Sequence, residues 1–302
     1  MPDTQKIEQA AEHQAAHQTD QVSYVALFLL TSLTMLAFAA NSLLTRMAFQ
    51  TTLIDAASFT AIRISTGAIT LFLISLLQSQ KLRFSALGGV SAILLFIYAL
   101  AFSFAYRSIS TGTGALILFT AAQLLMISYG LFRGERTSVL GLLMALGGLV
   151  FFLAPGASAP PWGAALLMAI SGLAWGGLSL LGKASESPVA GTASSFLLAV
   201  PLSLLTLWLH QGELQVDPLG VLYAALSGSV ASGIGYAIWY WVRLRMSAIT
   251  AASVQLSVPV LSAVLGLLIL DEQISLKSAL AALLVLGGIA VVILTSRRKP
   301  QE

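Results

Sequence analysis

Leu36-Ala37-Phe38-Ala39-Ala40-Asn41-Ser42-Leu43-Leu44-Thr45-Arg46 returns 137 residues later as Leu173-Ala174-Trp175-Gly176-Gly177-Leu178-Ser179-Leu180-Leu181-Gly182-Lys183. Aliphatic, aromatic, hydroxyl and basic positions coincide. The same shift sets Ala56, Ser58 and Phe59 against Ala193, Ser195 and Phe196, then Ser110, Thr113 and Ala115 against Ser247, Thr250 and Ala252, and Glu135 against Glu272. After a further offset of three residues, Leu146-Gly147-Gly148 meets Leu286-Gly287-Gly288. One constant shift over so long a stretch points to a chain built twice.

The 302 residues are 57% hydrophobic and only 9% charged, against about 25% charged in a soluble domain. Such a chain cannot cover itself with water-compatible surface, so the bilayer is its solvent and all-α its fold class. A hydrocarbon core about 30 Å thick takes about 20 apolar residues per helix. Ten such stretches are expected at 24–46, 55–77, 86–106, 111–132, 137–153, 162–183, 191–210, 218–241, 248–270 and 275–296. Spanning strands are excluded, because runs such as Leu116 to Met126 lack in–out alternation.

Three segments follow: a polar cytoplasmic tail over 1–23, a first five-helix repeat over 24–153 and a second over 162–296. The tail lacks the basic start and short apolar core of a secretory signal. Five is odd, so the second unit must enter the membrane from the opposite face and the two transmembrane repeats are inverted. With the N-terminus cytoplasmic, eleven basic residues fall inside and three, Arg46, Arg107 and Lys277, outside. That bias places both termini in the cytoplasm. Inverted halves that exchange conformations open a central site to each side in turn, which is the logic of a secondary transporter for a small molecule.

The missing residue types narrow the chemistry. There is no cysteine, the twelve carboxylates lie in tails, loops or span ends, and His13, His17 and His210 are peripheral. No acid–base pair, metal cluster or phosphate-binding loop can be assembled, so no catalytic residue, metal or cofactor is expected. Basic residues are scattered in ones and twos, which argues against nucleic acid. Without a titratable group at the midplane, downhill and uncoupled transport is expected.

Family features lie on top of this pattern. Phe132-Arg133-Gly134-Glu135 after span four echoes in Ile269-Leu270-Asp271-Glu272 after span nine, beside Ala61-Ile62-Arg63-Ile64, Ser257-Val258-Pro259-Val260 and Leu286-Gly287-Gly288. Over almost its whole length the chain resembles the drug/metabolite transporter superfamily, EamA type. Within it the chain is similar to the bacterial aromatic amino acid exporters of the YddG type. The resemblance implies a bacterial inner-membrane exporter. Ala122 stands opposite Pro259 where the family usually carries a proline, so the two halves are not expected to bend alike.

Candidate site residues come from polar or aromatic groups too deep to be ignored. Arg63 lies about 12 Å into helix two, where a charge costs at least about 2.5 kcal/mol and must find an acceptor. It reads first as a brace between helices and second as a partner for a substrate carboxylate. Helix one offers Phe38, Asn41 and Ser42, and helix six Trp175 and Ser179 at matching positions, as an inward stripe. Tyr98 and Phe102 in helix three, and Ser229, Gly233, Tyr236 and Tyr240 in helix eight, extend it. Trp239, Tyr240 and Trp241 read as interfacial anchors. Gln123 and Gln255 are either helix–helix contacts or ligand contacts. Pro259 frees the carbonyl of Gln255 and Pro201 that of Leu197, as structural kinks or as exposed acceptors. Stacked rings with hydroxyls nearby suit aromatic amino acids. A broad exporter of lipophilic or cationic drugs is the alternative, and a non-transporting membrane scaffold a distant third.

Overall fold

The computed structural model describes residues 24–82, 84–134, 138–154, 159–181, 188–245 and 254–295. Ten helical segments are labelled in chain order: α1 Tyr24–Thr51, α2 Ala56–Leu77, α3 Ala86–Tyr106, α4 Thr111–Phe132, α5 Val139–Leu153, α6 Trp162–Leu181, α7 Pro188–Leu209, α8 Pro218–Arg243, α9 Ser257–Leu270 and α10 Leu276–Thr295. No strand occurs among the described residues. Eight helices are long and apolar enough to cross a membrane, whereas α5 and α9 have 15 and 14 residues. At 1.5 Å per residue those two span about 21 to 22 Å, short of a full hydrocarbon core.

Helix starts follow from local side-chain chemistry. Asp55, Ser85, Ser110, Ser138 and Asp217 sit in extended backbone immediately before α2, α3, α4, α5 and α8, and each side chain accepts from an otherwise unpaired N–H of the first turn. Left-handed residues end others: Gly134 (φ 82°) follows α4, and Asp271 (φ 52°) closes α9. Within the spans, hydroxyls that would be orphaned in lipid donate back one turn, as Thr34 does to the Leu30 carbonyl and Thr120 to that of Leu116.

Packing turns small and polar residues inward and leaves aliphatic ones outside. Leu268, Leu283, Phe28 and Leu73 lie exposed on outer faces, as expected where lipid is the neighbour. α5 runs along α10, α3 along α6 and α7, and α2 along α7, while α8 lies against α1 and α2. α4 contacts both α6 and α9, and α9 contacts α1. Exchanging α1–α5 for α6–α10 carries this set of neighbours onto itself.

One helix departs from α geometry. Ser227–Ile234 in the middle of α8 is π-helical, between α-helical Pro218–Leu226 and Gly235–Arg243. The wider turn shifts the register of every residue after it. At its start, Gly228 lies so close to α2 that a Cβ there would collide with the Arg63 carbonyl oxygen.

Candidate functional site

Helices α1, α3, α4, α6 and α8 converge on a central cavity. Phe38, Asn41 and Ser42 come from α1, Tyr98 and Phe102 from α3, Leu118 and Phe119 from α4, Trp175 from α6, and Ala231, Ser232 and Tyr236 from α8. Its volume is about 20 Å³, room for a single water molecule. Side chains therefore fill most of the centre of the bundle.

The cavity is closed by its own rings. Trp175 stacks on Tyr236 with centroids 5.3 Å apart and planes at 29°. Phe38 stands edge-on to Trp175, Tyr236 and Trp239, and Tyr98 tilts against Trp175 at 5.3 Å. Phe38 and Trp175, equivalent positions of the sequence repeat, thus touch at the centre.

Behind the rings runs a polar chain. Ser227 Oγ donates to Asn41 Oδ1 (2.6 Å), Asn41 Nδ2 donates to Tyr98 Oη (3.3 Å), and Arg63 Nη2 donates to the same oxygen (2.8 Å). Arg63 is 2% exposed, with its guanidinium carbon 5.0 Å from the Tyr98 ring centroid and 4.7 Å from that of Phe102. Ring faces and a phenol oxygen partly replace the water such a cation would have. Arg63 Nη1, Gln123 Nε2, Trp175 Nε1 and Ser232 Oγ remain buried without a hydrogen-bond partner.

Two polar contacts tie the helices together at one end of the bundle. Asp55 caps α2 and accepts from the Gln215 N–H, while Asp217 caps α8 and accepts from the Leu53 N–H. Each cap thereby holds the other's loop. Burial opposes ionisation of Asp55, but hydrogen bonds from Ser58, Gln215 and Ala57 outweigh it and hold the carboxyl below the usual carboxylate range. Asp217 is held down first by the Gly220 N–H, against a small opposing effect of burial, with Leu53 and Thr52 also donating to it. Beside this clasp, Glu272 Oε1 accepts from Arg46 Nε (3.3 Å) and Oε2 from the Thr111 N–H (2.7 Å). Arg46 also donates to the Tyr106 carbonyl.

Seven of the expected substrate-contact residues, Phe38, Asn41, Ser42, Tyr98, Phe102, Trp175 and Tyr236, meet at this cavity, while Ser229, Gly233 and Tyr240 of the expected stripe lie off its wall. Three further expected contacts do not line it. Ser179 is half-buried and donates to the Trp175 carbonyl, Gln123 is buried outside the lining, and Gln255 is half-buried outside it. Pro259 lies in the first turn of α9, just after an interruption at Leu256 that separates α9 from helical Val254 and Gln255. It lines a second cavity of about 200 Å³ between α4, α9 and α10. Pro201 is inside α7 with its ring on an exposed face. Trp239 is buried at 5% exposure against Phe38, not anchored at an interface, while Trp241 is half-buried under the Arg245 guanidinium. Sequence reasoning missed Ser232, although it stands four residues before Tyr236 on the same α-helical face, and Ala231, which stands five residues before it at the spacing of the π turn. Lys183, Gly182 and Glu135 lie outside the described residues.

An all-helical bundle with multiple membrane-crossing helices around a polar and aromatic centre defines a multi-pass membrane protein of the carrier class. The sequence pattern of the EamA-like transporter family matches residues 162–294. An uncharacterized protein of Pseudomonas aeruginosa is 50% identical over 268 residues, covering 88% of this chain and 93% of that protein. The uncharacterized transporter YoaV of Bacillus subtilis is 24% identical, covering 80% of this chain and 88% of its own. An uncharacterized transporter of Archaeoglobus fulgidus is 26% identical, covering 75% and 84%. A solved crystal structure superposes with a TM-score of 0.62 at 23% identity, over 87% of this chain and 98% of the other, and speaks for the fold alone. The chain belongs to the EamA-like transporter family.

Proposed function

We propose that this membrane transporter is an exporter of small amphipathic metabolites, with aromatic amino acids the leading class, working by alternating access across a bacterial inner membrane. The observation that carries the reading is the central box of Phe38, Tyr98, Phe102, Trp175 and Tyr236, with the Asn41 and Ser42 side chains among the rings. Aromatic faces bind aromatic rings, and the interleaved hydroxyl and amide groups orient a polar end. The likeness to aromatic amino acid exporters of the YddG type agrees with this composition.

In this reading the chain crosses the membrane ten times as two inverted five-helix repeats. The self-mapping set of helix neighbours supports it. So does a pair of reciprocal close approaches: Gly148 meets Val285, and Gly288 meets Ala145, each contact being the other with the repeats exchanged. With both termini cytoplasmic, as the basic loops suggest, the Asp55–Asp217 clasp and the Arg46–Glu272 pair lie on the outer face. The closed cavity is then shut from outside, and export requires both contacts to part. Among the described helices no Asp or Glu lies within a span, which supports a downhill, uncoupled mode.

Counterflow tests the reading. Purified protein in vesicles preloaded with unlabelled tryptophan should accumulate external labelled tryptophan transiently, well above protein-free vesicles, with no stimulation by an imposed pH difference. Uptake equal to protein-free vesicles for tryptophan, phenylalanine and tyrosine would remove the transport reading for this class. Proton-driven uphill accumulation would remove the uncoupled mode.

A further inference from the structure

The central polar groups are unbalanced in a way that names one end of the substrate. Around the cavity and directly behind it, three buried nitrogen donors have no acceptor: Arg63 Nη1, Gln123 Nε2 and Trp175 Nε1. Ser232 Oγ, on the cavity wall, is also without a partner. Three oxygens nearby are already taken. Tyr98 Oη receives Arg63 and Asn41, Asn41 Oδ1 receives Ser227, and the Tyr98 carbonyl receives Ser171. The one ion in the middle of the bundle is a guanidinium, and no described span carries a carboxylate to neutralise it.

A buried cation with an idle N–H, surrounded by further idle donors, is stabilised by an anionic acceptor and destabilised by a second cation. Arg63 lies behind Tyr98 and Phe102, the two rings that wall the cavity from α3, so widening the cavity there opens a route to Nη1. We infer that Arg63 reads a carboxylate on the transported molecule, with Trp175 Nε1 and Ser232 Oγ as additional donors, so that the site selects carboxylate-bearing aromatics over cationic ones. Planar guanidinium and planar carboxylate match in a way that an ammonium does not. This rests on the transport reading above and deepens it, because it turns Arg63 from a brace into a specificity-determining residue and disfavours cationic drugs as substrates.

The test compares tryptophan with tryptophanamide, which keeps ring and ammonium and replaces only the carboxylate. Binding of each to the purified protein in lipid nanodiscs at pH 7, by calorimetry, should favour tryptophan at least tenfold. Arg63→Gln should bring the ratio close to one, and Arg63→Lys should keep the charge but recover only part of the preference. Where Arg63 variants do not fold, Ser232→Ala should lower the ratio at unchanged thermal stability. Equal or tighter binding of tryptophanamide by the unmodified protein overturns the inference, as does the absence of saturable binding by either compound. Discrimination in binding with no flux in vesicles would leave the inference standing and remove the transport reading.

Discussion

At Tyr98 three helices meet through one oxygen. Its hydroxyl accepts from Asn41 of α1 and Arg63 of α2, and its ring forms the α3 wall of the cavity. Tyr98→Phe keeps the ring and removes the acceptor, leaving a buried guanidinium with no hydrogen bond on either Nη among those described. The expected cost is on the order of 2 to 3 kcal/mol, as for a lost hydrogen bond to a charged group. It should appear as a lower thermal unfolding temperature in detergent or nanodiscs; an unchanged value would show that the ring contacts alone hold Arg63. Trp175→Ala deletes the indole that stacks on Tyr236 and contacts Phe38 and Tyr98. It should lower aromatic substrate flux at least tenfold while the protein still inserts and purifies, measured in the same vesicles as the unmodified chain. These residues were legible in the sequence because a polar or aromatic group deep in an apolar span needs a protein partner. The idle donors were not, since partnering depends on which helix faces which.

Among the elements, α8 marks where sequence periodicity stops being a guide. An ideal helix repeats every 3.6 residues, and that period from Tyr236 leads to Ser232, Gly233 and Ser229, whereas in the π-containing helix Ala231, five residues before Tyr236, joins Ser232 on the cavity wall and Gly233 and Ser229 stay off it. Gly228 lets this widened segment sit on α2. Gly228→Ala would push a methyl carbon against the Arg63 backbone, where nothing can yield cheaply, and should abolish a monodisperse size-exclusion peak or lower the unfolding temperature by several degrees. Gly147→Ala and Gly287→Ala are the controls: a Cβ at either position meets nothing within 4 Å, and both should behave as the unmodified protein. Equal behaviour of all three would argue against the tight α2–α8 contact.

The caps of α2 and α8 give a pH-dependent element. Because the Asp55 carboxyl is held below its ordinary value of 3.8, its stabilising effect is complete above that value and fades as pH falls through the lowered one. Asp55→Asn should therefore lower the unfolding temperature at pH 7 and have progressively less effect below pH about 4. A constant difference across that range would mean that the carboxylate charge contributes nothing. The caps themselves were readable as Asp and Ser before apolar runs; their cross-linking of two loops was not, because it joins residues about 160 positions apart.

On the scale of the whole molecule, the constant shift in the sequence and the neighbour set in the fold both support the proposed duplication. Mate positions Phe38 and Trp175 touch at the centre. Spans one to four, six to eight and ten were legible from hydropathy alone. Whether the shorter α5 and α9 cross was not, since a short apolar run can pack inside a bundle as well as cross a bilayer. The filled centre was also invisible in the sequence, because which side chains meet there depends on how the helices pack.

A chain without cysteine allows the central claim to be tested by crosslinking at the clasped end. Leu53 and Val216, both exposed, lie on the two loops that Asp55 and Asp217 hold together. Leu53→Cys with Val216→Cys, joined by a short bis-methanethiosulfonate that forms a reducible disulfide with each thiol and releases methanesulfinate, locks this end shut. The account predicts that tryptophan flux in vesicles falls to the protein-free level when the link is made and returns when it is reduced. Undiminished flux through fully crosslinked protein would contradict it.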